Sequence, residues 1–266
     1  MIEQVKPTGT RSEKMFAKER QRTILENVKR QRVATVSGLS KLFDVSEMTI
    51  RRDLEKLSDQ GLIERVHGGV LSIEGTALEP TFHEKETVHI EEKQRIGKMG
   101  AFVIKEGDTV CLGPGTTVME IVRHLGKKRM TALTNSLNIA YELSAQSTVR
   151  LLVIGGELRL GSYAMVGSET EEYLHRFYVD KFFVGVNGFS IEHGLTIPNP
   201  SEAAVYRAMM KLSKQTIVVV DHTKLEDVSF VKIADLYQVD KLITDSGVSE
   251  EYVQKLRDMD IEVMVV

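Results

Sequence analysis

The sequence predicts an α/β protein in two parts: a small unit of three helices closed by a β-hairpin, then a larger unit with a mostly parallel sheet and helices on both faces. Three observations lead there. Up to Val70, apolar residues recur at helical spacing in three short segments that end in a Gly-Gly turn. From Gly107 onward, apolar runs of strand length alternate with helix-length segments. The charge divides in the same place: residues 1–70 hold 14 Lys and Arg against 10 Asp and Glu, and the remainder holds 21 against 28, within an overall charge of −3. The two parts are expected to meet different partners.

Composition bounds the rest. A chain of 266 residues with 42% apolar content can bury a real core. The longest apolar stretches, Thr216 to Val220 and Ile261 to Val266, are far too short for a membrane span, and Met1 to Thr10 is polar, so a soluble, cytoplasmic protein with no membrane partner is expected. The single cysteine, Cys111, excludes an internal disulfide, and seven scattered histidines offer no zinc-ligand spacing; no metal and no cofactor are expected.

In chain order, Phe16 to Arg30 places Phe16, Ile24, Leu25 and Val28 on one helical stripe. A second helix is predicted over Val36 to Phe43, with Thr35 or Ser37 as its cap and Leu39, Leu42 and Phe43 inward. After the tight Asp44-Val45-Ser46 connection, Ser46 caps a third helix that runs to about Gln60 and stops at Gly61. At about 100° per residue, Ile50, Leu54 and Leu57 form its buried stripe. Arg52 lies nearly opposite, Arg51 on the flank, and Met48 and Thr49 on the outward side. Two β-prone runs around His67-Gly68-Gly69 then read as a hairpin.

That order is a winged helix-turn-helix, whose third helix enters a DNA major groove N-terminal residues first. The DNA-contact candidates are Thr35, Glu47, Met48, Thr49, Arg51 and Arg52, with Arg65 and His67 of the hairpin reaching the backbone or minor groove. Arginine matches guanine's acceptors or phosphate oxygens, and threonine suits a phosphate or a thymine methyl. Arginines opposite a buried stripe are ordinarily a solvated face; here the turn, the hairpin and the positive balance together favour contact with double-stranded operator DNA. Which of Arg51 and Arg52 reads a base is open, and Glu47 reads equally as a helix-end acid.

Three regions are expected: a DNA-binding domain over 15–72, a polar connector over 73–95 that turns helical from about Thr87, and an effector and oligomerisation domain over 96–266. In the last, strands "DTVCL", "MTALT", "VRLLVI", "KFFVGV", "TIVVVD", "DKLIT" and "IEVMVV" alternate with helices over Thr117–Leu125, Leu137–Ala145, Gly167–Phe177, Glu202–Lys214 and Glu250–Asp258. Ligands of parallel sheets gather at the strands' carboxyl ends. There "GPGTT" (113–117) opens a helix, so Gly113, Gly115 and the Thr116 and Thr117 hydroxyls suit an anion. Other strands exit into Thr134-Asn135-Ser136, Gly155-Gly156, Asn187 and Asp221 to Lys224. Hydroxyls, amides, bare backbone and one lysine together describe a pocket for a small phosphorylated polyol. Asp221 and Lys224 read equally as a local salt bridge, and "GPGTT" is neither a Walker loop nor a dinucleotide fingerprint.

The stretches "TIRRDLEKLSDQGLIERVHGG" (49–69), "GTT" (115–117), "TNS" (134–136), "IGGELR" (154–159), "DHTK" (221–224) and "ITD" (243–245) together resemble the DeoR-type sugar-phosphate-responsive repressors, over nearly the whole chain from about Lys18. The resemblance implies a C-terminal domain like ribose-5-phosphate isomerase and CoA-transferase folds, and implies that Gly115, Thr116, Thr117, Asn135, Ser136, Gly155, Gly156 and Lys224 contact the effector. Two positions depart: Gly113-Pro114 stands where many members have an aspartate, and Lys85 where many have an arginine. The Gly-Pro-Gly form resembles the lactose phosphotransferase repressors, which points to tagatose-6-phosphate or another hexose phosphate. A homo-oligomer, dimer or tetramer, is expected for gripping repeated half-sites.

The alternative is an isomerase carrying a DNA-binding head. Ribose-5-phosphate isomerases place an acid-rich run where this chain reads Val184-Gly185-Val186-Asn187-Gly188, and proton transfer needs a positioned carboxylate. Asp180 precedes that strand and Glu202 opens a helix, so no catalytic residue is assigned and no enzyme is expected. A sequence-neutral packaging protein would be strongly basic, which this chain is not.

Overall fold

The computed structural model describes residues 17–31, 33–60, 62–66, 69–72 and 80–266. Two compact units divide between Leu78 and Glu79, a break that falls inside the segment expected to be connector. No helix among the described residues is long and apolar enough to cross a membrane.

The first unit runs α1 (Ala17–Gln31), β1 (Val33–Thr35), α2 (Val36–Phe43), α3 (Glu47–Asp59), β2 (Ile63–Val66) and β3 (Gly69–Ser72). Phe16, expected on the first helix, lies outside the described residues. Ile24, Val28, Val36, Leu39, Ile50, Leu54, Leu57, Ile63 and Val70 form one core, with Leu25 and Phe43 partly buried against it. Leu42, expected inward, is only half-buried and does not belong to it, its place on α2 being taken by Val36. Thr35 Oγ1 accepts from Gly38 N at 3.1 Å and Ser46 Oγ from Thr49 N at 3.2 Å, so each cap satisfies an amide the helix leaves open. Asp44 takes the left-handed conformation, φ 51°, in the turn between α2 and α3. Strand β1 was not expected. It makes a third strand, in the antiparallel order β1-β3-β2, and a Cβ at Gly69 would sit 2.5 Å from the Ala34 carbonyl.

Asp53, a charged residue on α3, is buried. Its carboxylate accepts from Arg20 Nε at 2.6 Å and Gln21 Nε2 at 2.7 Å on α1. Removing the carboxylate deletes two charge-assisted hydrogen bonds at a buried position, so Asp53→Ala is expected to cost this unit about 3 kcal/mol. Amide exchange across α1 and α3 in the full chain checks it; rates like the wild type's would make the pair incidental.

The second unit runs α4 (Phe82–Glu86), α5 (Ile90–Val103), β4 (Thr109–Leu112), α6 (Thr116–Arg123), β5 (Met130–Thr134), α7 (Leu137–Ser144), β6 (Val149–Val153), β7 (Glu157–Arg159), β8 (Ala164–Val166) and α8 (Ser168–Leu174), then β9 (Val179–Val184), β10 (Gly188–Ser190), β11 (Gly194–Ile197), α9 (Pro200–Lys211), β12 (Ser213–Val219), β13 (Val231–Ala234), β14 (Lys241–Thr244), α10 (Glu250–Arg257) and β15 (Glu262–Val265). Seven strands form one parallel sheet, ordered β15-β14-β12-β9-β4-β5-β6. Alternate residues feed opposite cores: Cys111 and Phe182 join one, Leu112 and Phe183 the other. From β4 the chain steps outward through β5 to β6, then returns to β9 on β4's other side, so the strand order switches between β4 and β9. Their carboxyl ends are where this topology opens a crevice.

Several expectations are corrected in detail. The connector's helix starts at Ile90 rather than Thr87, extends to Val103, and is preceded by α4, whose capping box joins Thr81 and Glu84. Helix α9 stops at Lys211 rather than Lys214, because Ser213 to Gln215 already pair along β9 as part of β12. The antiparallel hairpin β7–β8 and the small sheet β10-β11-β13 were not expected; strands of three or four residues carry too little periodicity to register.

Candidate functional site

In the first unit, capping by Ser46 aims the start of α3 outward. Met48 is 68% exposed, and Glu47, Arg51 and Arg52 are exposed as well. Arg51 Nη2 lies 3.5 Å from Glu47 Oε2, so its charge is partly matched, whereas Arg52 has no ion pair among the described residues. Thr49 is half-buried, its hydroxyl 2.9 Å from Ser46 Oγ within the cap. Thr35 is exposed at the start of α2. Arg65 has its backbone in β2 opposite Val70, but its side chain, like the whole of His67, lies outside the described residues.

In the second unit, the candidate residues collect at the carboxyl ends of the parallel strands. Gly115 caps α6 with φ 141° and ψ 153°, a conformation in which a side chain is strained. The first-turn amides of α6 have no intrahelical partners and its dipole presents partial positive charge. Thr116 and Thr117 follow, both mostly buried, and Gly113 N donates to Phe183 O at 3.0 Å, tying the loop to β9. Asn187 stands half-exposed after β9, its amide donating to Thr196 O at 3.2 Å.

The next strand end is tightly built. Thr134, Asn135 and Ser136 are wholly buried. Thr134 Oγ1 donates to Leu112 O at 2.7 Å and Asn135 Nδ2 to Met165 O at 2.8 Å. Asn135 Oδ1 is buried without a hydrogen-bond partner. Gly155 is exposed, while Gly156 at φ 152° leaves no room: a Cβ there would meet Thr170 Oγ1 at 2.0 Å. Gly156 therefore serves close packing of this loop against α8.

Asp221 and Lys224 do not form the local salt bridge that the sequence left open. The buried Asp221 carboxylate accepts from Thr223 N at 3.1 Å and from its hydroxyl, capping a short turn. Lys224 has no ion pair among the described residues. Close by, His222 Nδ1 lies 2.8 Å from Asp245 Oδ2, and the His222 ring meets His89 edge-on at 5.7 Å. Burial works against the Asp245 charge, but donation from the His222 and Gly247 amides and the His222 ring holds its carboxyl below the ordinary range.

Two lysines that the sequence reading did not assign complete the arrangement. Lys93 on α5 is buried, and its Nζ donates to the carbonyls of Lys85 and, at 2.7 Å, Val88. Burial pushes its ammonium down to about 8; Asp221 and Glu120 oppose the shift, and Lys224 and Lys85 add to it. Lys85 and Lys224 thus each lie within electrostatic reach of Lys93. Helices α5 and α6 pack so closely that a Cβ on Gly97 would lie 2.4 Å from Glu120 Cβ; Lys93 is one turn before Gly97, and Thr116 one turn before Glu120. A buried cation pushed toward neutrality beside a helix N-terminus is an arrangement that a bound anion would relieve. The available signal was Lys85 followed by Lys93 in a charged stretch, but that pattern does not distinguish a buried lysine from a solvated one.

The two remaining acids are both engaged. Asp180, at the amino end of β9, accepts from Lys214 Nζ at 2.8 Å and from Thr109 N and Oγ1, which hold its carboxyl far below the usual range. It lies at the opposite end of the strands from the lysines. The Glu202 carboxylate accepts from Arg159 and Ser162. A shallow hollow lined by Gly107, Arg129, Thr131, Ser147 and Arg150 also lies at the amino ends of β4, β5 and β6, away from the crevice at the switch point.

Residues 20–76 match the family described as DeoR-like helix-turn-helix domain, and residues 88–246 match DeoR C terminal sensor domain. The chain is 36% identical over 252 residues to the uncharacterized HTH-type transcriptional regulator YulB of Bacillus subtilis, covering 95% of this chain and 98% of that protein. It is 34% identical to the putative aga operon transcriptional repressor of Escherichia coli O157:H7, covering 93% of each. With the HTH-type transcriptional repressor GlcR of Bacillus subtilis it shares 36% identity over 94% of this chain and 97% of that protein.

Proposed function

This chain belongs to the DeoR family of transcriptional regulators, and we propose that it is a sequence-specific repressor of carbohydrate-metabolism genes whose operator affinity is set by a phosphorylated sugar. The observation that carries this reading is the strand end where Gly115 opens α6 and the buried Lys93 stands one turn before Gly97, which packs on α6; Lys224 and Lys85 lie within electrostatic reach of Lys93. In this reading the α6 amides and the threonine hydroxyls hold the phosphate, Lys224 and Lys93 neutralise it, and the Asn187 and Asn135 loops face the sugar. On the separate DNA-binding unit, Arg52, Arg51, Thr49 and Met48 meet the operator, with Thr35, Glu47, Arg65 and His67 at the margins. A hexose phosphate such as tagatose-6-phosphate is the proposed effector, a dimer or tetramer the proposed assembly, and the cytoplasm the proposed location.

Regulation requires that the effector bind DNA-competent and DNA-incompetent arrangements unequally. A coupling of about 1–3 kcal/mol changes operator affinity about 5- to 150-fold. The test is a thermal-shift screen of phosphorylated sugars, followed by operator binding with and without the best stabiliser. Stabilisation by one or a few hexose phosphates, with a matching change in operator affinity, is the expected result. Turnover of any of them, or no stabilisation by any, would overturn the reading. The engaged state of Asp180 and Glu202 supports a receptor over an isomerase.

Lys93 gives the pH dependence. Its folded value of about 8 lies below the ordinary 10.5, so the folded state disfavours its charge, and stability without effector should rise as pH increases from 8 towards 10.5. Anion binding needs the ammonium, so sugar-phosphate affinity should fall as pH passes about 8. Titration calorimetry from pH 7 to pH 9 checks this; a flat profile would remove Lys93 from the site.

A further inference from the structure

The hairpin β7–β8 joins three elements of the second unit: the loop after β5, α4 and α9. Its second strand is stitched to the loop after β5: Met165 N donates to Asn135 O at 2.7 Å, Asn135 Nδ2 returns a bond to Met165 O, and Leu137 N donates to Tyr163 O at 2.9 Å. Its turn grips α4. Phe82 N donates to Gly161 O at 2.7 Å, Tyr163 Oη lies 2.9 Å from His83 Nε2, and the Tyr163 and Phe82 rings meet edge-on at 5.8 Å. From below, Glu202 on α9 holds the turn through Arg159 and Ser162, and Tyr206, one turn further along α9, donates to Pro114 O at 3.2 Å in the loop that opens α6.

We propose that this hairpin relays occupancy of the anion site to α4, with Tyr163 and Glu202 as positioning residues. The proposal rests on the effector reading above. Two features make the hairpin suited to having two arrangements rather than one. Asn135 Oδ1 is buried without a partner among the described residues, and an orphaned acceptor of this kind destabilises the arrangement that holds it. The same side chain is tied to the hairpin by its one bond to Met165 O, and its loop is tied to the end of β4 through Thr134 Oγ1 and Leu112 O, so a change in the anion loop after β4 reaches it through the protein's own bonds. Tyr163 itself is held at φ 57°, a left-handed backbone unfavourable for a side chain of its size. Movement of the Asn135 loop thus has a relaxed direction to take, and Tyr163 carries it to His83 and Phe82. Helix α4 bears Lys85 and is the first element of its unit, one short segment along the chain from β3 of the DNA-binding unit. Helix α4 is thus the element of the second unit nearest in sequence to the DNA-binding unit.

The test is hydrogen exchange on the full-length protein with and without saturating inorganic phosphate at matched ionic strength, in the wild type, Tyr163→Phe and Glu202→Gln. Tyr163→Phe keeps the ring and removes only the hydroxyl. In the wild type, phosphate is expected to slow exchange at Gly115 to Val118 and to change exchange across α4. In both variants the protection at Gly115 to Val118 should remain while the α4 response falls about threefold or more. An α4 response of full size in both variants would mean that phosphate acts on α4 directly through Lys85, and the relay would be wrong. Protection at Gly115 to Val118 with α4 unchanged in the wild type would overturn the relay alone. Absence of protection at Gly115 to Val118 would overturn the anion site and the relay with it.

Discussion

Arg52→Ala is expected to weaken operator binding about 5- to 150-fold, the 1–3 kcal/mol that one good arginine contact contributes to a base or a charged phosphate. Arg52 is exposed opposite the buried stripe of Ile50, Leu54 and Leu57, and no described carboxylate competes for it. Arg51 is half-matched by Glu47, so Arg51→Ala should cost less. Fluorescence anisotropy on a sequence enriched from random DNA by the wild-type protein gives the affinities, and repeating it across salt concentrations separates the two roles. Loss of a phosphate contact lowers the salt slope by about one and weakens all sequences alike, whereas loss of a base contact relaxes specificity at one position. Stabilisation by a sugar phosphate should be untouched, because α3 belongs to the other unit. Operator binding at wild-type strength would take Arg52 out of the interface.

Lys224→Ala is expected to do the reverse. It should leave operator affinity in the absence of effector unchanged and reduce thermal stabilisation by a sugar phosphate to a small fraction of the wild type's. Losing one charge-assisted hydrogen bond to a phosphate is worth about 1.5–3 kcal/mol, a ten- to hundredfold loss in affinity. The substitution has a second signature. Lys224 is one of the charges that lower Lys93, so its removal should move Lys93 upward and carry the pH at which residual binding is lost upward with it. Calorimetry of the variant at several pH values reads both effects. An unchanged response to sugar phosphates would place the phosphate elsewhere.

These two substitutions were visible in the sequence because both rest on local pattern. A helix that buries every third or fourth residue must expose the residues opposite, so Arg52 followed from Ile50, Leu54 and Leu57 without knowledge of what they pack against. Lys224 followed from its place just after a strand of a parallel sheet. The caps Thr35 and Ser46 were readable for the same reason: a hydroxyl before a helix has one amide to satisfy, a few residues along the chain.

The missing residues depended on distant partners. Lys93 and Arg95 stand on the same helix, two residues apart; one is buried and the other exposed, and nothing between them in the chain separates a buried ammonium from a solvated charge. Asp53 carries no local signal of burial; its partner Arg20 comes from α1, 33 residues away. The hairpin β7–β8 has strands too short for a periodic signal, and its grip on α4 joins residues about 80 apart.

By itself, then, the order of helices, hairpin and alternating strands, read with the split in charge, determined the architecture, the recognition helix and the strand ends where an anion would sit, because each follows from spacing within a few turns. Only tertiary structure decided which charges are buried, which loops are already closed by their own hydrogen bonds, and which element links the sensor loops to α4. Burial and desolvation are properties of what folds over a residue, and sequence separation says almost nothing about that.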